Sequence, residues 1–443
     1  MSLLKKKVFA YVDECQEDIV DFLCEYIEFK SVTAGVPGTG QELAVQNWLR
    51  DQFKAMGFGK VDYWAVDPEK KRPNIVATIK GIGGGKPLIF NGHSDVVPVP
   101  ESQLSKWTVD PWKPKVKDGM VYGRGSCDMK GGNTAMIWAA KALIDNDVRT
   151  EGDVYVECVV GEETSEDAIG VTSTIDRGYT APFAIVGEPT NCEIHTSALG
   201  YFLFELTILG KETHLSSRNL AVFPQRYGIP CGSEVGVDAI EKAIPFIELF
   251  QRLEKQWNQR WRHKLQGGGG YPRHEDYQGV GVFTINPSFI EAGTYKASLP
   301  GHCKLTYHVH YPPWLRAEEV WNELKRHVDA VASTDDWLRE HPPIFKVPAM
   351  HSDQREGSET PIDHEGCKTL AKAFKEATGE DPIFSGLKCC CDSPCFSKRG
   401  IPVVIFGPGD LSMGTHGIDE HVPIDHIIKC CKTYAAMAID WCS

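Results

Sequence analysis

No stretch of this 443-residue chain approaches the run of about 20 apolar residues that a membrane span requires, which excludes an integral helical membrane protein. No export leader is expected either. The lysines at Lys5, Lys6 and Lys7 are followed by Tyr11, Asp13, Glu14 and Glu17, not by an apolar segment with a small-residue cleavage site, so the expected location is the cytoplasm. Positive charge is in deficit. A net charge of -13 argues against nucleic acid as the partner, because that binding rests on clustered Lys and Arg neutralising phosphates. The glycines around Arg124 lack the Lys-Ser or Lys-Thr ending of a phosphate loop, and no internal repeat is present. Cysteine is plentiful at 15, but the number is odd, the residues are scattered, and three are crowded at Cys389, Cys390 and Cys391. That pattern implies reduced thiols in place of a disulfide framework.

The residues present read as an α/β protein of two domains, since the length exceeds what one hydrophobic core usually supports. Helical periodicity runs over 8–29, with Phe22, Leu23 and Tyr26 on one face, and over 40–56, with Leu43, Val45, Trp48, Leu49 and Phe53. Strands are predicted at 74–79, 87–90, 154–160, 184–186 and 403–406, with helices at 132–145 and 365–378. Alternation of this kind predicts a mixed sheet with helices on both faces. Between 198 and 342 the pattern changes to long strands at 201–209 and 304–311, helices at 239–262 and 317–331, and a flexible loop at Gly267–Gly270. This predicts a catalytic domain from 1–197 and 343–443 and an inserted α+β domain from 198–342.

Acidic and imidazole side chains recur after the predicted strands. His93 and Asp95 follow Ile89-Phe90, Asp128 precedes a helix, Glu162-Glu163 follow Val159-Val160, Glu188 follows Ile185-Val186, and His416 comes after Phe406-Gly407-Pro408-Gly409. Loops at the carboxyl ends of an open sheet converge, so these residues can meet. Two His and three acidic ligands are too many for one catalytic zinc with an open position. They suit two metals, each with one His, one terminal carboxylate and a share in a bridging Asp, around a nucleophilic water. Of Glu162 and Glu163, one would bind metal and the other would take the proton of the water.

Taken together, the stretches Gly92-His93-Ser94-Asp95-Val96-Val97-Pro98, Gly123 to Gly132, Gly161-Glu162-Glu163, Gly187-Glu188-Pro189-Thr190 and Gly414 to Val422 resemble, in order and spacing, a known family. It is that of the co-catalytic zinc deacylases and exopeptidases grouped with acetylornithine deacetylase, succinyl-diaminopimelate desuccinylase, glutamate carboxypeptidase and aminoacylase. The resemblance covers nearly the whole chain. It implies His93 and Glu188 on one divalent ion, Glu163 and His416 on the other, and Asp128 bridging. Glu162 would be the general base, and Asp95 would fix the tautomer of His93. The ions would be zinc, with cobalt as the alternative, and the bond after Asp128 would be cis. The inserted domain would act as lid and dimerisation domain of a homodimer, with His214 stabilising the oxyanion in a partner's site.

One departure bears on substrate. Many relatives have an Arg near the end of the lid, whereas this chain reads Tyr307-His308-Val309-His310, which removes a bidentate clamp for a carboxylate. The leading expectation is therefore hydrolysis of the amide of an N-acyl amino acid. A dipeptidase or carboxypeptidase acting on a short peptide is the alternative, and a catalytically silent dimeric binding protein is the rival from another class.

Overall fold

The computed structural model describes residues 1–33, 41–223, 228–266, 277–347 and 354–443. The Gly267–Gly270 loop lies outside the described residues. Two compact units are present: one from 1–198 and 358–443, the other from 199–266 and the described part of 276–357.

The first unit is a nine-stranded mixed sheet. Its order is Lys60–Ala65, Pro73–Ile79, Val154–Val159, Leu88–His93, Ala184–Val186, Val403–Ile405, Ile194–Ala198 and Ser358–Glu359, with Phe384–Leu387 also pairing to Ile194–Ala198. The four central strands, from Val154–Val159 to Val403–Ile405, are mutually parallel. Buried on both faces, they are near-continuous apolar runs. Alternate residues enter different cores: Leu88 and Phe90 pack with helices Leu43–Ala55, Gly131–Asp145 and Ile424–Trp441, while Ile89 packs with Val171, Ile175 and Phe396. Both faces are thus covered. The opening segment is two helices, Leu3–Glu14 and Gln16–Glu28, because the chain leaves helical geometry at Cys15.

In the second unit, a five-stranded antiparallel sheet runs Thr284–Ala292, His302–Tyr311, Gly200–Leu209 and Ile344–Lys346, with Gln354–Arg355 also pairing to Gly200–Leu209. Strict alternation in His302–Tyr311 buries Cys303, Leu305, Tyr307 and Val309 against helices Ala239–Arg260 and Ala317–Ala332. Because Ile344–Lys346 joins this sheet, the unit continues past 342 to 357. Among the described residues, no helix is long and apolar enough to cross a membrane.

Candidate metal centre and active site

All four parallel strands deliver their carboxyl ends to one side of the sheet, and the candidate residues follow from that direction. His93 closes its strand, Glu162 and Glu163 follow Val154–Val159, Glu188 follows Ala184–Val186, and the segment after Val403–Ile405 leads to His416. Asp128 comes from the turn before helix Gly131–Asp145.

The six side chains meet. His93 Nε2 lies 3.2 Å from Asp128 Oδ1, 3.5 Å from Glu188 Oε1 and 3.9 Å from Glu162 Oε2. His416 Nε2 lies 3.3 Å from Asp128 Oδ2 and 3.0 Å from Glu163 Oε2. Each Asp128 oxygen therefore faces a different imidazole, the arrangement a bridging carboxylate needs.

Asp95 acts in two ways. Its main-chain carbonyl accepts the His93 Nδ1 hydrogen at 2.9 Å, which turns Nε2 toward the cluster, while its carboxylate stands 3.7 Å from Nδ1. That carboxylate instead accepts the N–H groups of Gly161 at 3.0 Å and Glu163 at 3.1 Å, a longer one from Glu162 at 3.4 Å, and the Thr33 hydroxyl at 2.8 Å. It thereby shapes the turn through which two neighbouring glutamates enter one site.

Glu420 does the same for Asp128. Its Oε1 accepts the N–H groups of Cys127 and Asp128 at 3.0 Å, its Oε2 that of Gly125 at 3.0 Å, and Arg124 neutralises it from a fully buried position. Sequence reasoning missed both roles. The only signal was position, since Arg124 lies just before Asp128 and Glu420 just after His416. The Asp128–Met129 peptide bond is cis.

Electrostatics give the cluster a deficit of positive charge. Burial, reinforced by Asp128, pushes Glu163 up to about 7, and burial raises Glu188 well above the carboxylate range. His416 is raised to about 11 by Asp128 and Glu163; His93 is also raised, its burial outweighed by Glu188, Asp128 and Glu162. Glu163 Oε1 is buried with no hydrogen-bond partner. Buried carboxylates that crowd two imidazoles and leave an acceptor orphaned fit divalent cations. The donor atoms of His93, Glu162 and Glu188, and those of His93, Asp128 and Glu163, lie close enough for each set to hold an ion.

The remaining candidates lie elsewhere. His214 belongs to the second unit, where its exposed Nδ1 accepts the Ser216 N–H at 3.2 Å, so Nε2 carries the ring hydrogen. His421 packs against Tyr122 and pairs through Nδ1 with the Asp419 carbonyl. His308 and His310 share a face of the second unit's sheet with Tyr201, and burial lowers His310 to about 4.

Known proteins resemble this chain over nearly its whole length. The description of peptidase family M20/M25/M40 matches residues 89–440. The chain is 32% identical to N-formyl-4-amino-5-aminomethyl-2-methylpyrimidine deformylase of Halalkalibacterium halodurans, over 99% of this chain and 97% of that protein. It is 28% identical to acetylornithine deacetylase of Myxococcus xanthus, over 89% and 91% of the two chains. A solved tripeptidase from Staphylococcus aureus superimposes with a TM-score of 0.71 at 19% identity, covering 96% of this chain and 98% of that one, a likeness of fold.

Proposed function

The chain belongs to peptidase family M20/M25/M40, a family of metal-dependent amide hydrolases, and from that premise we propose that it is a dinuclear deacylase of small N-acylated amines. The observation that carries the reading is the position of Asp128, with one oxygen toward His93 and the other toward His416. His93 and Glu188, Glu163 and His416, with Asp128 shared between them, would hold two zinc ions, or cobalt in their place, and these would supply Lewis acidity and acidify a water.

The protein's own groups do the rest. Glu162 lies at the cluster, 3.9 Å from His93 Nε2, and is left over once the five other residues are assigned as ligands, so it is the group proposed to take the water's proton and return it to the leaving amine. Asp95 holds His93 and the Glu162-Glu163 turn in register. His214, with its hydrogen on Nε2, is suited to donate to the oxyanion of the tetrahedral intermediate in a partner's site. A homodimer through the second unit is supported by its edge strand Thr284–Ala292, where Phe289 and Ile290 are exposed.

For the substrate, an uncharged His310 where a guanidinium would clamp a carboxylate favours an acyl group without a second acid. N-acyl amino acids and N-formylated aminomethylpyrimidines, the latter named for the Halalkalibacterium relative, both fit that description. The test is a panel of N-formyl, N-acetyl and N-succinyl amines and dipeptides with the zinc-loaded protein. Release of formate or acetate well above cleavage of dipeptides and succinyl amides is expected. Preferential cleavage of dipeptides would make the protein a peptidase of the same chemistry.

A further inference from the structure

Two cysteines that hydrolysis does not use stand sulfur to sulfur inside the first unit. Cys192 lies in the turn that follows Glu188 and Pro189, Cys430 lies on helix Ile424–Trp441, and their Sγ atoms are 3.6 Å apart. Both are buried free thiols.

The surroundings hold Cys192 in place. Asn191 and Cys192 have φ of 56° and 59°, a left-handed conformation that consecutive non-glycine residues keep only when neighbours impose it. Here the neighbours are main chain: the Asn191 N–H donates to the Gly409 carbonyl, and the Cys192 N–H to the Gly407 carbonyl at 3.1 Å. Gly409 N–H in turn donates to His426 Nδ1 at 3.4 Å, and His426 sits one helical turn before Cys430. Turn, glycine segment and helix thus meet at this pair. Cys192, His426 and Lys429 line a cavity of about 180 Å³, room enough for a small oxidant beside the pair. The two thiols also differ in acidity. Cys430, and then His426, hold Cys192 below the usual thiol range against its burial, while burial pushes Cys430 up, which makes Cys192 the more acidic thiol of the pair.

We propose that Cys192 and Cys430 form a peroxide-reactive dithiol, in which Cys192 is oxidised and Cys430 resolves it as a disulfide. The Cys192 thiolate attacks one peroxide oxygen, the O–O bond breaks, and hydroxide leaves, giving a sulfenic acid and reducing the peroxide by two electrons. The Cys430 sulfur then attacks Cys192 Sγ, the S–O bond breaks, and the departing hydroxide takes the Cys430 proton as water. Contact at 3.6 Å shortens to the bonded separation of about 2.05 Å. Since Cys192 is in the turn that carries Glu188, closure is expected to slow hydrolysis until a thiol reductant reverses it.

The test is mass spectrometry of the full chain treated with hydrogen peroxide and digested without reductant. Cys431→Ser removes the ambiguity of the adjacent thiol, and the wild-type chain serves as control for its folding. A cross-linked peptide pair containing Cys192 and Cys430, lighter by two hydrogens and lost on adding dithiothreitol, is expected. In Cys430→Ser, a dimedone adduct should appear at Cys192. No cross-link together with no adduct at Cys192, or a cross-link mapping to other cysteines, overturns the proposal whatever the substrate panel shows.

Discussion

Glu162 and Glu163 are adjacent in the chain, and the proposed function gives them different work, one as base and the other as ligand. Glu162→Gln keeps the size and the hydrogen-bonding oxygen but cannot take a proton. It is expected to retain both metals and lose turnover by about 10²- to 10⁴-fold, measured as kcat beside metal content; near wild-type kcat would assign the base elsewhere. Asp95→Asn brings an amide NH₂ against main-chain N–H donors whichever oxygen it replaces, those of Gly161 and Glu162 at Oδ1 or that of Glu163 at Oδ2. A buried donor left facing donors costs about 1–3 kcal/mol, so this variant should lose roughly 10- to 100-fold in kcat together with weaker metal binding; normal affinity with normal kcat would contradict the positioning role. At this scale the residues that follow strands were legible, because strand direction brings them together. Glu420 was not, since a glutamate in a polar loop reads as solvated until the fold brings it to the Asp128 turn.

Among the elements, the join between helix Gly131–Asp145 and the strand end at Gly187 is the tightest point near the site. A Cβ at Gly132 would stand 1.9 Å from the Gly187 carbonyl oxygen, a main-chain atom one residue before Glu188. Gly132→Ala must therefore move either the helix that follows Asp128 or the turn that bears Glu188. A drop in thermal midpoint and weaker metal binding together are expected, whereas an unchanged midpoint with unchanged metal content would contradict the close approach. The central strands and most helices were readable from apolar runs and periodicity. Strand Thr284–Ala292 was not: it is an exposed edge with no alternation, interrupted by Pro287, where its register shifts. The break at Cys15 also lies inside an unbroken helical pattern, and nothing local marks it.

At the scale of the whole molecule, a buried acid in the middle of the large sheet is expected to make stability depend on pH. Glu157 is fully buried, accepts hydrogen bonds from Asn91 and Thr174, and is pushed up to about 8 by burial. The folded protein thus keeps a proton that the unfolded chain gives up at lower pH. Its contribution is complete below the ordinary carboxyl value and is lost as the pH rises through about 8. Between about pH 5 and pH 8 the wild-type protein should lose stability relative to Glu157→Gln, by a few kcal/mol at most; parallel denaturation curves would show that Glu157 is ionised in the fold.

Two cations held by residues from the ends of four parallel strands and the turn before a helix are the centre of the account, and metal titration tests it directly. Hydrolysis of an N-acyl substrate by chelator-stripped protein should rise with added zinc until two equivalents per chain are bound; full activity without metal, or a plateau at one equivalent, would contradict it.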